Sequence, residues 1–438
     1  MAVFRMNGWF CRRLFRRVLV AVVLLSPLLF SGCWGGREPD ETAHILFVGL
    51  DKGKENVLTM TVLIGVPRTM AGGDSMGEGG GGGGKPVITV SVESRTILTG
   101  LDMINSIVER RSTLRHLKVI IFSGELAREG LDRYMAPLMR FPEFRRTIFL
   151  AVSQGSAREL LEKFQPLMEN NPAKYAELLF SSQRYVGFIP FAQIHHFYND
   201  SKSLSVEPVC ILVGLQETEQ VHHHRQPQGV REGDFLAGQM PHKGGGEMEV
   251  LGSAVFRDSK MVGALNGTQT AILNMLRGWF FESLFAFPDP GRPDRFIILR
   301  VKKERKPEIK VRLDAQGMPE IRARVPLDAE IISIQSGINY ERPEKLAVLE
   351  RALNLRLETA AGELVRKTQE EFRADIFGFG FKARRLVATY TQWQAMNWPE
   401  LYPEARVSIT FDTKIRRIGL LRKTTPSGGL GEENGSDD

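Results

Sequence analysis

Cysteine is scarce in this chain: Cys11, Cys33 and Cys210 are the three in 438 residues. A disulfide framework is therefore excluded as the basis of the fold. Long apolar runs are missing too. The greasiest stretch, VLVAVVLLSPLLF, covers 18–30 and is interrupted by Pro27. It falls short of the roughly 20 apolar residues that a spanning helix needs. Acidic residues are absent from the first 32 positions, which carry Arg5, Arg12, Arg13, Arg16 and Arg17. The whole chain has 58 basic and 51 acidic residues, so beyond position 32 the balance is 53 to 51, a net of +2. The apparent basicity belongs to the leader, and nothing in the charge argues for nucleic acid as a partner. Two signatures of chemistry are also lacking, H-E-x-x-H and a phosphate loop. Lys85, after the glycine run, is followed by Pro86 rather than by Ser or Thr.

What is present begins with the leader. A basic start, a short apolar core and small residues, Ser31 and Gly32, precede Cys33. That is the layout of an export signal, and small residues before a cysteine suit a lipoprotein signal peptidase. Cys33 is thus expected to carry a diacylglyceryl group and to be the first residue of the mature protein. The position three before it is Phe30 where Leu is usual. The alternative is an uncleaved membrane anchor with a chance cysteine. Two acyl chains anchor a protein stably, whereas one is marginal.

Beyond a polar tether, HILFVGLDK and VLTMTVLIGV read as strands, followed by the Gly-rich insert 71–85, a flexible loop, and the strand VITVSVES. Helices are expected at 96–111, 125–140 and 157–164, alternating with strands LKVIIFSG and TIFLAVS. One short helix is expected after Asn171-Pro172 in an otherwise irregular region 170–208. Later come a hairpin around Asp258-Ser259, a helix at 268–278, and strands RFIILRVKKE, PEIKVRLDAQ and PEIRARVPLDAEIISI. A long helix is expected at 343–377, with Leu346, Leu349, Leu353, Leu357, Ala361, Leu364, Thr368 and Phe372 on one stripe. A last strand covers 405–420. The expected fold class is α+β: a multidomain lipoprotein with an N-terminal mixed α/β region and a C-terminal antiparallel-sheet domain packed with a long helix. The expected division is 1–32 signal peptide, 33–215 N-terminal domain, 216–249 polar linker or loop, 250–422 C-terminal domain and 423–438 disordered tail.

Candidate reactive residues are few. The His222-His223-His224 run with His242 lacks a carboxylate or thiolate at ligand spacing and reads as a solvated loop, with metal binding the alternative. His116 reads as a structural histidine beside a buried strand. His195-His196 have no nearby nucleophile in sequence, and Cys210 reads as a small buried hydrophobe. No catalytic, cofactor or metal residue is nominated, and no cofactor is expected. A site assembled from distant residues stays open.

Several pieces, in order, resemble the Ger(x)C family, the lipoprotein C subunits of spore germinant receptors. They are Cys33, Trp34, Arg37 and Glu38, then Gly49, Asp51 and Lys52 closing a strand. HLKVIIFSGELAREGL follows at 116–131, and VFRDSKMVGALNGTQTAILNMLRG at 255–278. Gln369, Asp375, Gly378 and Gly380, then Trp398, and finally Arg416, Arg417 and Gly419 complete the set. Gly35 stands where the family usually has an acid. The resemblance implies a non-enzymatic subunit of a nutrient sensor, held on the outer face of the spore inner membrane or cell membrane. It implies the integral-membrane A and B receptor subunits as partners and names no ligand-binding residue. Gly378 and Gly380 fit a helix end and turn, and Asp375 an anchor for that turn, with a ligand role the alternative. A solute-binding lipoprotein feeding a transporter is the rival function.

Overall fold

The computed structural model describes residues 13, 15–22, 41–55, 57–66, 86–166, 168, 169, 171–216, 233–417 and 419. The chain divides into two units, Met1–Thr42 and Ala43–Asp438, and the second carries the cores described below. Cys33 and its neighbours, the insert 71–85, the His222–His224 run and the tail 423–438 lie outside the described residues.

The first sheet has nine strands. They are β1 (Thr42–Lys52), β2 (Leu58–Gly65), β3 (Val87–Ser94), β4 (Arg111–Thr113), β5 (Val119–Ser123), β6 (Phe149–Ser153), β7 (Val209–Leu215), β8 (Met248–Arg257) and β9 (Lys260–Leu265). Along the sheet they run β3-β2-β1-β5-β6-β7-β8-β9, with β4 beside β1. β1, β5, β6 and β7 are mutually parallel, and β2, β3, β8 and β9 are antiparallel additions. The parallel strands VIIFS and FLAVS are buried at every residue. Continuous apolar runs of this kind suit strands covered on both faces. One face packs Leu46, Phe47, Ile121 and Ala151 under α4 (Ala157–Glu162) and α5 (Pro172–Phe180). The other packs Val48, Leu50, Ile120 and Phe122 under α1 (Ile97–Asn105), α2 (Gly124–Glu129), α3 (Asp132–Arg140) and α6 (Ile194–Asp200).

Local chemistry sets the helix starts. Thr96 and Thr99 form a capping box on α1; Ser123, Ser156 and Asn171 accept from the first turns of α2, α4 and α5. The helix expected at 125–140 is two, because the chain breaks at Gly130 (φ 124°) and Leu131 N–H donates to Ser259 O in the β8–β9 turn at 2.9 Å. The helix expected at 96–111 ends at Asn105, whose side chain accepts from Ser112 N–H of β4 at 2.8 Å.

The segment 216–249 joins β7 to β8, two neighbours in one sheet, so β8 and β9 complete the first sheet from beyond it. α7 (Gly267–Arg277) follows, capped by Asn266 and ended by left-handed Gly278. Its Ile272, Leu273, Met275 and Leu276 share a core with Val209 and Val255 of the first sheet and with Leu299 and Val325 of the second.

The second sheet holds β10 (Glu282–Asp289), β11 (Arg292–Lys303), β12 (Glu308–Leu313), β13 (Pro319–Ile334) and β14 (Arg406–Arg417). β10, β11, β13 and β12 pair antiparallel, as expected. β14 is the exception to the antiparallel pairing, lying parallel to β13. A parallel neighbour needs a long crossover, and α8 (Pro343–Glu370) with the short helices α9 (Gly380–Ala383), α10 (Tyr390–Met396) and α11 (Trp398–Leu401) provides it. α8 spans roughly 42 Å and buries Leu349, Leu353, Leu357, Ala361, Leu364 and Thr368 along one stripe. Burial of each leucine stabilises by about 1.5–3 kcal/mol. The fold is α+β, a mixed sheet followed by a second sheet with its long helix.

Candidate functional site

The residues Gly49, Asp51 and Lys52 fall at the carboxyl end of β1, where β5 and β6 also end. Open α/β sheets bind ligands outside the carboxyl ends of their strands, and here a cleft of about 630 Å³ opens. Its chemistry is charged, with Lys52, Lys54, Arg128 and Arg158 facing Glu93 and Glu125. Most of its reactive atoms are already engaged. Both Asp51 oxygens accept from the first turn of α4, Oδ1 from Ala157 N–H and Oδ2 from Arg158 N–H, each at 2.8 Å. Burial pushes the Asp51 carboxyl up, and those N–H groups oppose the shift. Ser123 and Ser156, two of the hydroxyls lining the cleft, serve as helix caps with donors at 3.3 Å. Lys52 pairs with Glu129 and, at 3.3 Å, with Glu125. Gly49 lies where a side chain would meet Leu161 Cδ1 at 2.9 Å. The Gly-x-Asp-Lys signature is thus the device that seats α4 and α2 on the sheet. It offers no nucleophile with a free base.

A second constellation gathers the later signature residues. Asp375, buried just beyond α8, accepts five N–H groups. Oδ1 takes those of Phe377, Gly378 and Phe379 at 3.1, 3.0 and 3.3 Å; Oδ2 takes those of Gly380 and Trp398 Nε1 at 2.8 and 2.9 Å. This is why the helix expected to reach 377 stops at Glu370: the following backbone wraps the carboxylate instead. Burial pushes the Asp375 carboxyl up against these donors. Gly378 has φ 77°, and a Cβ on Gly380 would meet Ser205 O at 2.5 Å. Gln369 donates to Tyr402 O and Ala405 O at 3.0 and 2.8 Å, tying the end of α8 to the lead-in of β14.

The same neighbourhood contains a buried charge cluster that the sequence did not reveal. Arg277, at the end of α7, donates to Ile376 O at 2.5 Å and to Glu207 O at 3.0 Å, lies 3.5 Å from Asp200 Oδ2, and stacks over Trp279 at 4.7 Å. Glu207 accepts Asp258 N–H at 2.6 Å, while its own N–H donates to Asp375 O at 2.8 Å. Burial pushes Glu207 up to about 8. Asp200 closes α6, Arg277 closes α7, and Glu207 and Asp375 lie in the loops before β7 and after α8; only folding brings them together, so no spacing announces them.

The remaining candidates are dispersed. His116 stacks edge-on against His44 at 4.6 Å, and burial lowers both imidazoles. His195 Nδ1 contacts Arg146 O at 2.7 Å; burial lowers His196 to about 4. Cys210 is fully buried in β7, and burial raises its thiol. His242 lies 3.0 Å from Glu249. Among the described residues no group of three or more His, Cys, Asp or Glu could hold a metal ion, and no helix is long and apolar enough to cross a membrane. The string GDSMG at 73–77 has G-x-S-x-G spacing. A serine elbow needs a strand before it and a helix after it, and here a glycine run follows; the string lies outside the described residues.

Comparison with known proteins fits the signature residues into one frame. A family described as spore germination protein N-terminal domain matches residues 35–215, and one described as spore germination B3/GerAC like, C-terminal, matches 251–419. Spore germination protein KC of Bacillus subtilis (strain 168) is 27% identical over 419 residues, covering 92% of this chain and 97% of that protein. Spore germination protein GerQC of Bacillus cereus is 23% identical, covering 91% and 98%. The crystal structure of the GerBC protein superposes with a TM-score of 0.50 at 18% identity, covering 84% of this chain and 96% of that one, a likeness of fold.

Proposed function

The chain belongs to the spore germination family of GerAC-, GerBC- and GerKC-like C subunits, and on that premise we propose that it is the lipid-anchored, non-enzymatic C subunit of a germinant receptor, needed for nutrient-triggered germination. The observation that carries this reading is the ordered match of both family regions directly behind Cys33. On this reading a diacylglyceryl group on Cys33 holds the protein on the outer face of the spore inner membrane, beside integral-membrane A and B subunits. The non-enzymatic part rests on the signature residues themselves: Asp51 and Asp375 are spent on backbone N–H groups. The rival, a solute-binding lipoprotein, draws no support from the fold, because such proteins pair two similar α/β lobes and the two sheets here differ.

Deleting the protein is expected to abolish the response to at least one nutrient while leaving non-nutrient germination intact. An unchanged nutrient response in a strain free of paralogues would refute the reading. Affinity purification from spore membranes should recover A- and B-type subunits. Cys33→Ala should remove the lipid and either shift the protein out of the membrane fraction or leave it attached only through an uncleaved signal, since a net charge near +2 cannot replace acyl chains contributing about 0.8 kcal/mol per buried CH₂. N-terminal mass spectrometry reads this directly; a free thiol at Cys33 in the wild type would count against the anchor.

A further inference from the structure

We propose that a basic cleft at the amino end of the parallel strands is a docking face for anionic lipid headgroups, so that this end of the protein lies against the membrane. The proposal rests on the lipid anchor at Cys33. The cleft has a volume of about 470 Å³. Arg115 and Lys118 enter it just before β5, Arg145 just before β6, Lys174 from α5 and Arg184 just after. Against these five cations stands one lining carboxylate, Glu177, which Lys118 engages at 3.1 Å. Arg115, Arg145, Lys174 and Arg184 are exposed, and among the described residues none has a carboxylate within ion-pair distance. Converging like charges repel, and an anion at their centre relieves the repulsion.

Two further observations select the membrane as that anion. The first is contrast with the opposite end of the same sheet, where Lys52 pairs with Glu125 and Glu129, and Arg158 with Glu162. Among the described residues, two of the four cations lining the carboxyl-end cleft, Lys52 and Arg158, have a carboxylate partner, against one of five at the amino end, Lys118, in a protein that is nearly neutral beyond its leader. The second is where the chain enters. β1 is parallel to β5, so it begins at the basic end, and His44 at its start stacks on His116 of the cleft. Ten residues, Cys33 to Thr42, precede this point, and fully extended they reach at most roughly 35 Å. Acyl chains on Cys33 therefore keep the cleft close to the headgroups. A lipid and a basic patch are the two signals that together make membrane attachment durable.

The test uses the full lipidated protein in vesicles, with lysine acetylation read by mass spectrometry. Lys174 reports on the cleft and Lys54, at the opposite end of the sheet, is the internal reference. In vesicles containing phosphatidylglycerol, Lys174 labelling should fall by about fivefold relative to Lys54. Roughly 0.5 M salt should restore it, because screening then acts within a few ångströms. Phosphatidylcholine vesicles should give no protection, and the double substitution Arg115→Gln with Arg145→Gln should weaken the protection in the anionic ones. Equal labelling of Lys174 in both lipids overturns the proposal. So does equal protection by inorganic phosphate in neutral vesicles, which would make the cleft a small-anion site. The fraction of protein that stays with the vesicles reports on the anchor separately, so failure of the docking face and failure of the anchor give different results.

Discussion

The two sheets meet the same need for cover in opposite ways. In the first, β5 and β6 are buried at every residue because helices lie on both faces. In the second, β13 and β14 alternate between buried and open positions, with α8 on one side. The open side carries charged ladders such as Arg416 with Asp328 at 2.5 Å and Arg300 with Glu330 at 3.1 Å. A sheet covered on both faces can present chemistry only at its strand ends, and both clefts of the first sheet are there. A sheet covered on one face presents a whole surface. Between them α7 lies in one core that draws residues from both sheets, and Arg277 at its end ties the parts together.

The sharpest way to break this arrangement is Arg277→Ala. It leaves Asp200 buried without its cation, a change that costs about 3–5 kcal/mol. Urea unfolding should show that loss, and broadening into two transitions would mean that the seam alone makes the sheets unfold together. Gly380→Ala forces a Cβ against Ser205 O and should cost about 1–3 kcal/mol by overpacking. Asp51→Ala removes the acceptor at the start of α4 and should cost about 1–2 kcal/mol, felt in hydrogen exchange of α4 before the second sheet responds. A further effect is one of pH. Glu207 has a folded value of about 8 against an ordinary 4.5. The folded state therefore holds a proton that the unfolded state releases, and stability falls as pH rises from 4.5 to about 8. Glu207→Gln should flatten that part of the melting-temperature profile; an unchanged slope would place the titration elsewhere.

Much of the first sheet was legible because its parallel strands are largely apolar and four of its helices, α1, α2, α4 and α5, open on Thr, Ser or Asn. What escaped depends on partners distant in sequence. The split at Gly130 follows from Leu131 reaching the β8–β9 turn. α6, reading IHHFYND, has no helical period and is held by Ile194 and Phe197 in the core. β10 contains Pro288, which speaks against a strand in sequence, yet it pairs with β11 as the sheet's edge, where a missing N–H is tolerated. The parallel course of β14 is invisible locally, because an amphipathic strand looks the same in either direction. For the signature residues the positions were legible, and for Asp375 the turn-anchoring role as well. Asp51 and Asp375 turn out to do one job twice, each gathering backbone N–H groups at the start of a turn or helix. Cys33 and the roles of the segments around it rest on sequence and family alone.

The place of β1 has a mechanical consequence. It is an interior strand, paired along one side with β2 from His44 to Lys52 and along the other with β5 from Phe47 to Leu50. Any tug reaching the protein through the residues before Ala43 acts along the axis of this strand from its first residue. The hydrogen bonds on both sides are then loaded together in shear, and none can be peeled off singly as at an edge. Yielding would require the central strand to slide past two neighbours at once, a rate-governed event. Load entering through that end would thus meet one of the first sheet's most tear-resistant strands.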